Sequence, residues 1–186
     1  MKPIFLALAT TSLAAPALAQ DTREMEAHVH GVTTAEIAVE HGVIEIDLLA
    51  PGMDVVGFEY EASSAAEKDA VAAAIRIFLS PEEIVNLPEA AGCRLTGVVA
   101  HLHAGDPDHD QEEHAADDDH EDEAAHSEFH VSYSFACDDD DALTSIGFPF
   151  FQQFESAQEI EAQFVTETGA GQAEIERGAA ELSLAQ

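Results

Sequence analysis

The sequence predicts an α+β fold: antiparallel β hairpins with one or two helices packed on a face, and a long disordered loop rich in His and Asp. Three observations support this class. Several segments alternate apolar and polar residues, one segment has helical periodicity behind a capping signal, and residues 103–127 contain no large apolar side chain. We expect a single domain over residues 20–186, with residues 103–127 as a His/Asp/Glu-rich insertion.

The N-terminus has the features of an export signal. Lys2 gives a positive start, residues 4–13 are largely apolar, and Ala17-Leu18-Ala19 is a small-residue cleavage motif. The apolar run is too short to cross a bilayer. We therefore expect a signal peptide over residues 1–19, cleavage near Ala19, and a periplasmic protein without membrane insertion after cleavage.

The first hairpin is predicted over residues 28–49, where apolar and polar residues alternate on either side of a short turn. His41-Gly42 supplies that turn, because glycine accepts a positive φ angle. The turn fixes a register in which apolar residues face apolar residues. The predicted pairs are Val39 with Ile44, Ile37 with Ile46, and Ala35 with Leu48.

A helix is predicted after this hairpin. Ser64-Ala65-Ala66-Glu67 matches a capping box, and apolar residues follow at helical spacing as far as Leu79. Ser80-Pro81 ends the pattern. Towards the C-terminus, the aromatic residues of 143–154 indicate core or a short helix. Residues 159–166 and 172–175 indicate a further pair of strands.

A second hairpin is predicted from the strand patterns at 93–102 and 128–136. Placing Cys93 opposite Cys137 pairs Leu95 with Phe135 and would set His101 opposite Phe129. An exported chain with two cysteines favours one disulfide, which would close the base of this hairpin. The alternative is that both cysteines are thiolate metal ligands.

The tip of this hairpin concentrates coordinating chemistry. Residues 101–130 hold seven of the ten histidines and twelve carboxylates, with no Lys or Arg. Imidazole and carboxylate bind divalent transition metals, so the stretch predicts metal binding, with zinc as the expected ion. The alternative is an acidic, solvated loop. The candidate ligands here are His101, His103, His109, His114, His120, His126 and His130.

An ordered site can be placed where the strands meet this loop. His28 and His30 lie on one side of an extended segment, and His101 and His103 repeat the spacing. If the first strand neighbours the second hairpin, these four side chains could form a tetrahedral zinc site. The alternative is scattered surface histidines. Histidines inside the loop are better suited to weak, exchangeable ions, because ordering the loop reduces the net affinity.

Charge and motifs exclude several functions. The chain has 6 basic and 38 acidic residues, a net charge of −32, which disfavours nucleic acid and anionic membranes as partners. The sequence contains no HExxH, no GxSxG and no phosphate-binding glycine-rich loop. We therefore expect no enzymatic activity.

The chain resembles the ZrgA-type family of exported His-rich proteins linked to bacterial zinc uptake. The resemblance rests on His28-Val29-His30-Gly31, Gly57-Phe58-Glu59, the strand start at Cys93, the acidic His-rich insertion and Cys137. It covers roughly residues 28–175. The chain departs from the expected pattern at Tyr60, where a histidine is expected.

The resemblance implies a periplasmic zinc-binding accessory protein that captures or buffers zinc and supports its uptake by an importer. The expected partners are divalent metal ions and a zinc importer or its solute-binding component. Two alternatives stay open. One is a buffer or chaperone for copper, nickel or cobalt, since imidazole affinity rises towards copper. The other is a secreted structural or adhesion module with an acidic spacer.

Overall fold

A computed structural model describes residues 29–104 and 126–184. The predicted signal peptide, and the central part of the predicted loop at residues 105–125, lie outside these ranges. The described elements, in chain order, are β1 (Val32–Glu40), β2 (Val43–Pro51), α1 (Gly52–Val56), α2 (Ala65–Phe78), β3 (Arg94–Ala104), β4 (Ser127–Ala136), β5 (Ser145–Gly147), α3 (Phe150–Gln153), β6 (Glu159–Thr166), β7 (Gly169–Glu176) and β8 (Glu181–Ser183).

A six-stranded sheet organises the fold, with strand order β3-β4-β2-β1-β6-β7. Strands β5 and β8 form a separate two-stranded sheet. The mixture of mainly antiparallel sheet and a few helices is consistent with the predicted α+β class. Two pairings in this sheet were not predicted: β2 and β4 are antiparallel, and β1 and β6 are parallel, which joins the N-terminal and C-terminal hairpins into one sheet.

The register of the first hairpin is confirmed. All three predicted apolar pairs are present between β1 and β2, and their side chains are buried. The turn residues His41 and Gly42 have φ angles of 52° and 74°, as the two central positions of a type I′ turn require. This local geometry fixes which face of the sheet is buried.

Helix α2 begins at the predicted capping box. The Ser64 hydroxyl accepts a hydrogen bond from the Glu67 amide, and the Glu67 carboxylate accepts one from the Ser64 amide. Hydrogen bonds from the backbone of Ser64 and Ser63 hold the pKa of the Glu67 carboxyl at about 2. At the other end of α2, the buried Phe78 ring packs against Phe129 of β4, which attaches the helix to the sheet.

The predicted register of the second hairpin is correct at one pair and wrong beyond it. Leu95 faces Phe135 as predicted, but the register then shifts at a β-bulge before Gly97. His101 is therefore opposite His130 and not Phe129. Because a one-residue shift moves every later side chain to the other face, the bulge turns the histidines of β3 away from the core.

The sheet buries one face against the helices and the aromatic residues that precede β6. Buried aromatic side chains make up much of this core: Phe78, Phe129, Tyr133, Phe148, Phe150, Phe151 and Phe154. In the described part of the chain, no helix is long and apolar enough to cross a membrane.

Candidate metal site

The first histidine of the candidate site, His30, lies in the turn that leads into β1. The Gly31 amide donates to both carboxylate oxygens of Asp54, at 2.9 and 2.8 Å, and Gly31 has a φ of 90°. Burial raises the pKa of Asp54, although the Gly31 hydrogen bond and the nearby His30 act against that rise. Asp54 thereby fixes the backbone beside His30, while the His30 ring remains 58% exposed.

Glu59 is brought to this turn by the segment that follows α1. Gly57 ends the helix with a φ of 82°, and Glu59 is only 9% exposed. Its carbonyl accepts a hydrogen bond of 2.9 Å from the Ser127 amide, which ties the segment to the start of β4. At Gly52, an added Cβ would lie 2.6 Å from the Ser127 hydroxyl oxygen, so only glycine allows this close packing.

Three side chains meet at the Glu59 carboxylate; we call His30, Glu59 and His126 the Glu59 cluster. Oε2 of Glu59 lies 3.1 Å from Nε2 of His30 and 2.7 Å from Nδ1 of His126. An ionised carboxylate only accepts hydrogen bonds, so both imidazoles donate to it. The second oxygen, Oε1, is buried and has no hydrogen-bond partner among the described residues.

The pKa of Glu59 reflects this arrangement. Burial acts to raise the pKa of its carboxyl, but the hydrogen bonds and the charges of His30 and His126 outweigh burial and hold the pKa below its ordinary value. The carboxylate is therefore ionised at neutral pH. A buried anion between two imidazoles is a set of oxygen and nitrogen donors suited to a divalent transition metal.

The histidines on strands β3 and β4 form a separate group on the outer face of the sheet, which we call the β3–β4 cluster. It consists of His101, His103 and His130 together with Glu128. The His130 ring centroid lies 5.3 Å from that of His101 and 5.2 Å from that of His103. Nε2 of His130 lies 2.7 Å from a carboxylate oxygen of the buried Glu128.

The predicted adjacency of the first strand and the second hairpin is wrong, because β2 lies between β1 and β4. His30 is instead brought together with His126, and His101 and His103 with His130. His28, His109, His114 and His120 lie outside the described residues. His41 lies at the β1–β2 turn and in neither cluster.

Glu59 and Glu128 were not predicted as site residues. The chain has 38 acidic residues, and no local pattern distinguishes these two. The motif Gly57-Phe58-Glu59, which carried part of the family resemblance, was the available signal for Glu59. Tyr60, the departure from that pattern, is exposed, and its hydroxyl donates to Glu67 outside the Glu59 cluster.

Within residues 29–104 and 126–184, no group of three or more His, Cys, Asp or Glu side chains already has the geometry that holds a metal ion. In the Glu59 cluster the donors contact one another through hydrogen bonds. The cysteines are not available as ligands, since Cys93 and Cys137 form the predicted disulfide. The thiolate alternative is therefore wrong for this form of the chain.

Comparison with known proteins agrees with this chemistry. The family described as ZrgA family zinc uptake protein matches residues 27–184. No match is found among curated proteins. The family description names zinc uptake and no enzymatic reaction. The match extends over both histidine clusters and the disulfide, and the chain therefore belongs to the ZrgA family of zinc uptake proteins.

Proposed function

We propose that this chain is an exported, periplasmic accessory protein that captures or buffers zinc and supports its uptake by an importer without catalysing a reaction. The family provides the link to zinc uptake. The observation that carries the proposal is the Glu59 cluster, in which one buried carboxylate joins two imidazoles from distant parts of the sequence. Zinc is the cargo, and Glu59, His30 and His126 are its proposed ligands.

The donor atoms of the Glu59 cluster are close enough for one zinc ion to replace the hydrogen bonds between them. In a tetrahedral zinc site, neighbouring ligand atoms lie about 3.3 Å apart, since each is about 2.0–2.1 Å from the metal. The two distances to Glu59 Oε2, 3.1 and 2.7 Å, are hydrogen-bond lengths, and both would have to lengthen, by about 0.2 and 0.6 Å, for an ion to bind between these atoms. A neutral imidazole can carry its hydrogen on either nitrogen, so the nitrogens that face Glu59 can become metal ligands.

The buried oxygen of Glu59 supports the same conclusion. A buried carboxylate oxygen without a hydrogen bond costs free energy, which a bound cation would recover. His30 and His126 are more than half exposed, at 58% and 55%, so an ion can reach their rings from solvent. The cluster therefore combines a buried anion with an accessible entry side.

The position of the site relative to the acidic insertion suggests how zinc is captured. His126 is the last histidine of residues 103–127 and also belongs to the Glu59 cluster. Residues 105–125 add His109, His114 and His120 among many carboxylates. We propose that this segment collects ions weakly, while the Glu59 cluster holds one ion more tightly because its backbone is already ordered.

The proposal is tested by zinc titration of the full chain against a competing chelator. Three variants remove the ligands one at a time: His30→Ala, His126→Ala and Glu59→Gln. Each is expected to lower the affinity of the tightest site at least tenfold. The matched control is His41→Asn, which removes a histidine outside both clusters with a residue that accepts a positive φ.

Two results would contradict the proposal. The first is the absence of zinc binding by the full chain. The second is an equal affinity in the three ligand variants and in the control. Parallel titrations with Cu²⁺, Ni²⁺ and Co²⁺ decide whether the site serves another metal, because imidazole affinity alone favours copper.

A further inference from the structure

We propose that the β3–β4 cluster is a second metal site, separate from the Glu59 cluster, in which His101, His103 and His130 bind the ion and Glu128 positions His130. The identity of the ion at this site rests on the proposed function, because we take it to be zinc, as at the Glu59 cluster. The site itself rests on three observations about the outer face of the second hairpin: its register, the spacing of its rings, and the contact between Glu128 and His130.

The register brings the three rings to one face. After the bulge before Gly97, His101 is directly opposite His130, and His103 is opposite Glu128. Opposite residues in antiparallel strands have Cβ atoms about 4.5–5.5 Å apart, and residues two apart on a strand share a face. Without the bulge, His101 and His103 would face the core. This irregularity in the sheet therefore assembles the cluster.

The ring of His130 lies at the separation that a shared zinc ion requires from each of the rings of His101 and His103. With zinc–nitrogen bonds of about 2.0–2.1 Å at tetrahedral angles, the centroids of two ligating imidazoles lie roughly 5 Å apart. The observed separations are 5.3 Å for His101–His130 and 5.2 Å for His103–His130. The planes of the His101 and His103 rings are inclined to that of His130 by 38° and 51°, and both residues are exposed and can turn about their side-chain bonds.

Glu128 selects which nitrogen of His130 faces the metal. Its carboxylate lies 2.7 Å from Nε2 of His130, so this nitrogen donates its hydrogen to Glu128 and the lone pair is on Nδ1. Metal-binding histidines commonly donate their other nitrogen to a carboxylate in this way, which fixes the ring and strengthens the ligand. Glu128 is 1% exposed, so its position is set by the surrounding fold.

The two clusters use different anions. His126 precedes β4, whereas His130 lies within it. The ring of His126 contacts Glu59, whereas that of His130 contacts Glu128. The two clusters are therefore separate in this structure, and one lies beside each end of residues 105–125, next to His103 and His126.

The test measures bound zinc and the histidine ring nitrogens on the full chain. Zinc retained against a competing chelator is counted for the wild type and for a double variant, His101→Ala with His103→Ala. We expect the variant to retain one ion fewer. The matched control is Val99→Ala, an exposed residue on the same face of β3, which is expected to retain the wild-type number.

Glu128→Gln separates a positioning role from a structural one. We expect it to weaken zinc binding at this site by about 10–100-fold. In long-range ¹H–¹⁵N spectra, His130 of the wild type is expected to carry its hydrogen on Nε2, and zinc is expected to shift the Nδ1 signal. Glu128→Gln is expected to leave a mixture of the two tautomers.

The outcomes distinguish the two sites. If the double variant retains as many ions as the wild type, or if zinc leaves the His130 ring signals unchanged, the second site is wrong. A further double variant, His30→Ala with His126→Ala, reports on the first site. If this variant loses an ion and the His101/His103 variant does not, the proposed function stands and the second site alone fails. If neither variant loses an ion, both fail.

Discussion

Removing the disulfide is expected to destabilise the fold strongly while leaving the candidate metal sites intact. The perturbation is the double replacement of Cys93 and Cys137 by alanine. The bond joins residues 44 positions apart and so encloses β3, residues 105–125 and β4. Chain-entropy theory gives about 4 kcal/mol for a closed loop of this length, through restriction of the unfolded chain. That is a large fraction of the stability of a domain this size.

The effect on zinc should be small because the disulfide and the histidines lie at opposite ends of the hairpin. Cys137 directly follows β4, whereas His130 lies near its start. Seven residues of extended strand separate them, about 23 Å. The sheet register between β2 and β4 also holds the strand without the disulfide, since those strands pair along their whole length.

The assay is urea unfolding of the wild type and the double variant, each without zinc, together with zinc titration of both folded proteins. The expected result is a lower midpoint for the variant and a zinc affinity within a few-fold of the wild type. A loss of stability below about 1 kcal/mol would refute the loop-entropy argument. A tenfold loss of zinc affinity in a folded variant would refute the separation of the cysteines from the metal sites.

Three further predictions concern the core, the sheet surface and pH. Tyr133→Phe removes a buried hydroxyl that donates to the Phe78 carbonyl at 2.7 Å, and should cost about 1–2 kcal/mol in urea unfolding; an unchanged midpoint would contradict it. Glu161→Lys places a cation opposite Glu174 and should stabilise the fold by roughly 0.2–1 kcal/mol, less at high salt; a gain that is independent of salt would contradict a charge effect. Zinc affinity should fall as pH drops from 7 to 5, because imidazole must be free of its proton to bind a metal. In the metal-free protein, folding lowers the pKa of Glu59, so its contribution to the stability of the fold is present above the unfolded pKa and is lost as pH falls through the lower folded pKa. Acid unfolding of wild type and Glu59→Gln measures the latter, and coincident curves would contradict it.

The parts of the fold that depend on neighbouring residues could be predicted from the sequence. The His41-Gly42 turn fixes the register of the first hairpin, and the capping box at Ser64 fixes the start of α2. Each of these two features is formed by residues within four positions of one another, so a short stretch of sequence is enough to predict it. The disulfide was also predicted, because a chain with two cysteines has only one possible intramolecular pair and the expected export favours its oxidation.

The parts that depend on distant residues could not be predicted in this way. Alternation of apolar residues in β3 gives no signal for the bulge before Gly97, yet this bulge decides which face carries His101. The parallel pairing of β1 with β6 depends on segments more than a hundred residues apart. The residue pattern within each hairpin does not show which strand of the other hairpin it pairs with, so periodicity alone could not give the order of the strands.

The ligand set illustrates the same limit. Histidine is scarce outside the acidic insertion, which identified His30 as a candidate, whereas His126 was a candidate as one of the histidines within the insertion. Glutamate is abundant, so Glu59 is distinguished only by its burial and by the two imidazoles at its carboxylate. The sequence does not supply the environment that distinguishes Glu59 from the other carboxylates as a candidate metal ligand.

The most direct test of the central claim is an anomalous-difference map measured at the zinc edge, from crystals of the full chain grown with one equivalent of zinc. We expect a peak bonded to Nε2 of His30, Nδ1 of His126 and the carboxylate of Glu59, each about 2.0–2.2 Å away. Ordered zinc elsewhere in the molecule, with the hydrogen bonds to Glu59 intact and no peak between these side chains, would contradict it.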